Sequence, residues 1–155
     1  MSIYQPITSE GAADRLAIRD LVDGWAHCAD RRLPRQQAEL FVPDGTVTVY
    51  LGDPQTTEPA QQIQGRDALA ESFGVLNNYE HTTHFNGQSS ITLDGDTATG
   101  ESYCLAHHVW TDDKFRKLMV MSIRYLDTFT KTADGWLFAD RKLIVDWTDT
   151  RPSQA

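Results

Sequence analysis

Cysteine is scarce in this chain. Cys28 and Cys104 are the only two in 155 residues, far apart and without CxxC or Cys/His ligand spacing. That excludes a disulfide framework and argues against a zinc site or a redox pair, so both are expected as buried free thiols. Basic residues are also few: 14 Lys and Arg face 22 Asp and Glu, for a formal charge of −8. Nucleic acid and anionic membrane demand clustered cations, so neither is expected as a partner. The basic runs are Arg31-Arg32 and the stretch from Lys114 to Lys117, both read as solvated loops. No apolar stretch approaches the length of a membrane span, and the segment MSIYQPITSEGAADR lacks a basic region followed by an apolar run. A cytoplasmic protein is expected. Repeats, linkers and low-complexity segments are absent.

What is present is ordinary globular composition, with 40% hydrophobic and 23% charged residues. A domain of this length can bury roughly 70% of its unfolded surface without a staple. One domain over residues 1–155 is expected, with 1–8 and 150–155 as flexible tails. From Ser9, a candidate N-cap, to about Asp30, the residues Leu16, Leu21, Val22, Trp25 and Ala29 recur at helical spacing. Pro34 can open a short second helix that Pro43-Asp44-Gly45 stops. Thr46 to Leu51 reads as a strand, Gly52 to Gln64 as a polar surface loop, and Arg66 to about Leu76 as a third helix. Four strands follow, near Thr82–Leu93, Thr97–Trp110, Lys117–Thr130 and Trp136–Trp147, with hairpin-like connections. Helices first and antiparallel strands afterwards make the class α+β, with helices on one face of a curved sheet.

Three ionisable residues fall at element ends: Asp30, His84 and His108. Strict alternation would put His84, Asn86, Gln88 and Ser90 on one strand face and Phe85, Ile91 and Leu93 on the other. On the next strand Ala98, Gly100, Ser102, Cys104, Ala106 and His108 share a face. This row of small side chains leaves room for a ligand, or it receives a closely packed helix while the polar row faces water; periodicity does not choose. His27, His81 and His107 carry no expected task. Asp127, Asp140 and Asp146 are expected in strand-edge pairs with Arg124, Arg141 and Lys142. Met119, Met121, Ile123 and Tyr125 are candidates for an exposed apolar sheet face, and hence for a homodimer or homotrimer.

The segments ADRLAIRDLVDGWAHCADRRL, HTTHFNGQSSITLDGDTATGESYCLAHHVW and RYLDTFTKTADGWLFADRKL resemble the SnoaL-like part of the nuclear transport factor two superfamily, nearest to scytalone dehydratase and lindane dehydrochlorinase-type lyases. The resemblance implies a cone-shaped α+β barrel whose curved, mostly antiparallel sheet encloses a pocket. It also implies catalytic roles for Asp30, which stands before Arg31-Arg32, and for His84 in Thr82-Thr83-His84-Phe85. A second pocket histidine maps to His108, with His107 the adjacent alternative. The tyrosine that precedes the aspartate in the dehydratase is Ala29 here, and its strand asparagine has Arg124 as the nearest polar counterpart. Tyr50 lies within one residue of another catalytic tyrosine. Tyr50, Trp25, Arg124, Asn86 and Ala106 are therefore the candidate substrate-binding residues.

Neutral imidazole, with an unperturbed pKa near 6.5, can take a proton at physiological pH, and a carboxylate on its other nitrogen fixes the tautomer. The implied function is a cofactor-independent lyase or isomerase, dehydratase- or dehydrohalogenase-like, acting on a small cyclic or aromatic molecule. His108, Tyr50 or Arg124 would polarise the departing group. The resemblance calls for no cofactor and no metal. Two other readings stay open: a non-catalytic binding or assembly protein of the same fold, and an epoxide hydrolase-like enzyme, for which Arg124-Tyr125-Leu126-Asp127 is the nearest pattern.

Overall fold

The computed structural model describes residues 5–154. The long amphipathic helix, α1 (Ser9–Asp30), buries Ile18, Leu21, Val22, Trp25 and Ala29. Its N-cap is Thr8, not Ser9: Thr8 is extended and its hydroxyl accepts the Gly11 N–H at 3.1 Å, whereas Ser9 is already helical. After α2 (Pro34–Glu39), β1 (Phe41–Tyr50) starts earlier than the Pro-Asp-Gly cluster suggests, because a register shift between Phe41 and Thr46 absorbs that cluster inside the strand. Part of the polar loop is in fact β2 (Gln61–Gln64), an edge strand paired with β1; only Ile63 in it packs on the core. Then come α3 (Arg66–Phe73), a 3-10 turn (Gly74–Asn78), and the long strands β3 (His81–Asp94), β4 (Thr97–Asp112), β5 (Phe115–Thr132) and β6 (Gly135–Pro152). Of the segments expected as tails, residues 150–152 are paired with β5, while residues 1–4 and 155 lie outside the described residues.

The sheet has six strands in the order β2-β1-β6-β5-β4-β3, antiparallel except for the β1–β6 pair. It is curved and unclosed, so the cone is a wrapped sheet with helices packed on its inner face. Leu21, Val22 and Trp25 from α1 meet Phe41, Tyr125, Phe129 and Phe138 in one core. Each such side chain contributes roughly 1.5–3 kcal/mol on burial. No helix among the described residues is long and apolar enough to cross a membrane.

Strand β3 breaks its own alternation. The register against β4 slips between Asn86 and Ser89, so Gly87-Gln88 form a bulge. Beyond it Ile91 and Leu93 turn to the inner face, opposite Gly100 and Ala98, and Ser90 turns outward with Glu101. The row His84, Asn86, Gln88, Ser90 expected on one face therefore ends at Asn86. Helix α1 holds the bulge: Arg19 donates to the Gly87 carbonyl at 3.0 Å, and Asn86 donates to the Val22 carbonyl and the Asp23 carboxylate at 3.2 and 2.9 Å.

Parity also relocates the expected apolar surface. Met119, Met121, Ile123 and Tyr125 pair with the His108, Ala106, Cys104 and Ser102 row and face inward; Ile123 and Tyr125 are buried. The exposed face instead carries a cross-strand row Phe85–Leu105–Ser122–Trp147, with Tyr103 beside it.

Candidate active site

Helix α1 ends at Asp30 next to the start of β3, and this places a carboxylate against a strand. The Asp30 Oδ2 atom accepts the backbone N–H of His84 at 2.9 Å, and Oδ1 accepts the Thr82 hydroxyl at 2.9 Å. The His84 Nδ1 lies 2.8 Å from the same Oδ1. Partial burial pushes the Asp30 carboxyl upward, but the hydrogen bonds from His84 and Thr82 and the charge of the imidazole outweigh it, and its pKa lies below the ordinary value. An ionised carboxylate only accepts, so Nδ1 carries the proton and Nε2 presents its lone pair. The His84 side chain is only 8% exposed and lines a partly open cavity.

That cavity has a volume of about 160 Å³ and lies between the inner sheet face, α1 and the segment from α3 into the 3-10 turn. Its walls are largely apolar, with Trp25, Phe73, Met121, Ile123 and Tyr125 among them; His84 and His108 are its imidazoles. Trp25 is fixed by edge contacts to Phe73 and Tyr125, with ring centroids 4.9 and 6.2 Å apart. His108 is buried against Tyr79, with ring centroids 4.7 Å apart, and its Nδ1 has no hydrogen-bond partner among the described residues. Burial, followed by the charges of His84 and Arg32, pushes its pKa down to about 4, so it is neutral at pH 7.

The site thus gathers Asp30, His84 and His108, with Trp25 in the wall. Ala106 is fully buried opposite His84 on β4 and packs in the core without lining the cavity. The 98–104 part of the small-residue row is core, and the cavity opens only at the His108 end. Three other expected site residues go elsewhere. Asn86 is spent on the helix contact described above. Tyr50 has the opposite strand parity to Val47, which lines the cavity, and does not reach the wall. Arg124 stands on the outer face, paired with Asp146 at 2.8 Å and near Glu101. It differs in parity from Asp127, which points inward, so the Arg124–Asp127 pattern does not form one site. His107, the alternative to His108, pairs with Val120 on the outer face.

Several contributors were not anticipated. Thr82 and Arg32 complete the surroundings of the carboxylate, and Arg32 is half-buried, not solvated. Beneath the wall Arg141 and Asp127 form a bidentate ion pair at 2.8 and 2.9 Å, both essentially unexposed. The guanidinium packs against the Tyr125, Phe138 and Trp25 rings at 4.0, 4.2 and 4.7 Å. The pairing partner was expected, but at a strand edge. Among the described residues no group of three or more His, Cys, Asp or Glu side chains could hold a metal ion.

An open, wrapped, mostly antiparallel sheet with helices on its concave side is the architecture of the nuclear transport factor two-like class. The chain belongs to the SnoaL-like domain family, whose model matches residues 10–142. An uncharacterized protein of Mycobacterium tuberculosis is 28% identical over 127 residues, covering 80% of each chain. A protein of Novosphingobium aromaticivorans, provisionally named a scytalone dehydratase, superposes with a TM-score of 0.76 at 25% identity, over 96% of this chain and 95% of that one. A hexachlorocyclohexane dehydrochlorinase of Novosphingobium barchaimii superposes with a TM-score of 0.73 at 15% identity, over 92% of each chain, and shares the fold.

Proposed function

We propose that the protein is a cofactor-independent lyase or isomerase in which His84 removes a proton from carbon, Asp30 orients and electrostatically supports it, and His108 donates a hydrogen bond to the departing or migrating group. The observation that carries this reading is the 2.8 Å contact between Asp30 and His84 on the wall of a largely apolar cavity. In an elimination the C–H electron pair becomes the new double bond as the leaving group departs from the adjacent carbon. The imidazolium of His84 then returns its proton, to a departing hydroxyl as water or, in an isomerisation, to another carbon. His108, uncharged, can donate one N–H to the developing anion without competing for the substrate proton.

Size and polarity narrow the substrate. An apolar cavity on the order of 150 Å³ accommodates benzene, and this one is of comparable volume. Among the described residues no Lys or Arg side chain lines it, which favours a neutral, hydroxylated or halogenated single ring. The two buried, unpaired cysteines fit the cytoplasmic location expected from the sequence. The outer row of Phe85, Leu105 and Trp147, flanked by Arg124, Glu101 and Asp146 of both signs, suits a second copy of this chain across a symmetry axis.

The test is a panel of hydroxylated and halogenated cyclic compounds assayed with wild type and His84→Ala. Turnover by wild type that His84→Ala loses supports the reading. Turnover retained in His84→Ala overturns it, and binding without turnover by the wild type makes the cavity a ligand-binding site instead.

A further inference from the structure

Arg32 sits just past the end of α1 with φ of 58°, in the left-handed region that glycine occupies without cost. The backbone position alone gives no reason for an arginine. Its side chain does: Nη1 donates to the Ala29 carbonyl at 2.8 Å and to the Thr82 hydroxyl at 2.7 Å, and Nη2 reaches the Tyr79 carbonyl at 3.4 Å. A guanidinium has five donors and no acceptor and keeps its proton at any physiological pH. The Thr82 oxygen, accepting from Arg32, must direct its own proton elsewhere, and the Asp30 Oδ1 lies 2.9 Å away. That same Oδ1 accepts from Nδ1 of His84 at 2.8 Å.

We propose that Arg32 is a positioning residue which, through Thr82, anchors the Asp30 carboxylate against Nδ1 of His84 and so sustains the Nδ1–H tautomer with Nε2 free. The inference deepens the lyase reading and rests on it for the use made of Nε2, but the tautomer itself can be read without turnover. Without the Arg32 side chain the Thr82 hydroxyl is free to rotate away from Asp30, and the carboxylate loses one of its anchors. Charged and titratable groups around the Asp30–His84 pair include Arg32, His108 and Cys104, with Tyr79 packed on His108.

The experiment is side-chain nitrogen NMR of the histidines at neutral pH in wild type, Arg32→Gly, Thr82→Val and Thr82→Ser. Glycine suits the left-handed backbone, so Arg32→Gly is expected to fold. In Arg32→Gly and Thr82→Val the ratio of Nδ1–H to Nε2–H tautomer at His84 is expected to fall about tenfold, with Thr82→Ser near wild type. A turnover number about tenfold lower in the same two variants, with KM little changed, is expected where a substrate is in hand. An unchanged tautomer ratio in both variants would overturn the proposal and leave Arg32 as a helix-end clasp. A shifted ratio in a protein whose wild type turns over nothing would sustain the relay and remove the lyase reading.

Discussion

His84 and His108 stand edge to face, with ring centroids 5.6 Å apart and planes at 80°, yet only His84 has a carboxylate partner. Two imidazoles in one cavity thereby have different surroundings. The Asp30 carboxylate is held against His84, while burial and the neighbouring charges oppose a positive charge on His108. In the proposed reaction that contrast divides the labour, with a carboxylate-oriented base beside a donor that stays neutral.

Asp30→Asn tests the first half of that division. The amide cannot stabilise an imidazolium, and its NH₂ can donate to Nδ1 and expose the wrong nitrogen to the cavity. The turnover number is expected to fall on the order of 100-fold or more, with KM within a few-fold of wild type. Steady-state kinetics on any substrate found in the screen decide it; near-normal turnover would separate the carboxylate from the chemistry.

His108 makes acid stability a test of the second half. Its folded pKa of about 4 lies below the ordinary 6.5, so between those values the unfolded chain takes up a proton that the folded chain refuses. The contribution, about 3 kcal/mol, is complete above pH 6.5 and is lost as the pH falls to about 4. Asp30, whose pKa is lowered, adds a second loss only below its ordinary 3.8. Urea melts between pH 4 and 7 should show a stability slope that flattens in His108→Gln by up to about 1.4 kcal/mol per pH unit. An identical slope in the variant would mean that the ring takes up its proton over the same pH range in the folded and unfolded chain.

The helices and four long strands were legible because their periodicities are strong: α1 spans the interval its apolar spacing marks, and the hairpins turn where Asp94-Gly95 and Asp134-Gly135 stand. The pairing of Asp30 with His84 was legible through family resemblance, not through spacing. Strand β2 was illegible, since Gln-Gln-Ile-Gln has almost no apolar signal and is ordered by pairing with β1. The bulge at Gly87-Gln88 was illegible for a related reason: strict alternation has no term for an inserted residue, and Arg19 on α1 specifies it from afar. Tyr50 and Arg124 were placed at the site by proximity in sequence to motif positions, and strand parity removed them.

Self-association should depend on the outer row. Phe85, Trp147 and Leu105 are 68, 53 and 41% exposed on a contiguous sheet face. Light scattering is expected to give two or three times the 17.5 kDa chain mass for wild type and the single-chain mass for Trp147→Glu. A monomeric wild type at working concentration would show that this face serves something other than a second copy.

The ion pair under the cavity makes the sharpest stability prediction. Burial raises the Asp127 carboxyl against the pull of Arg141, and one guanidinium nitrogen, Nη1, has no hydrogen-bond partner among the described residues. Removing one charge strands the other without water, so Asp127→Leu alone is expected to cost roughly 3–5 kcal/mol. Removing both restores an uncharged interior, and Asp127→Leu with Arg141→Met should recover most of that loss despite forfeiting the stacking on Tyr125, Phe138 and Trp25. Urea denaturation of the two single variants and the double variant measures the coupling directly. Additive losses would mean that the two charges do not depend on each other, and that the aromatic cage around Arg141, more than its carboxylate, holds the floor of the cavity in place.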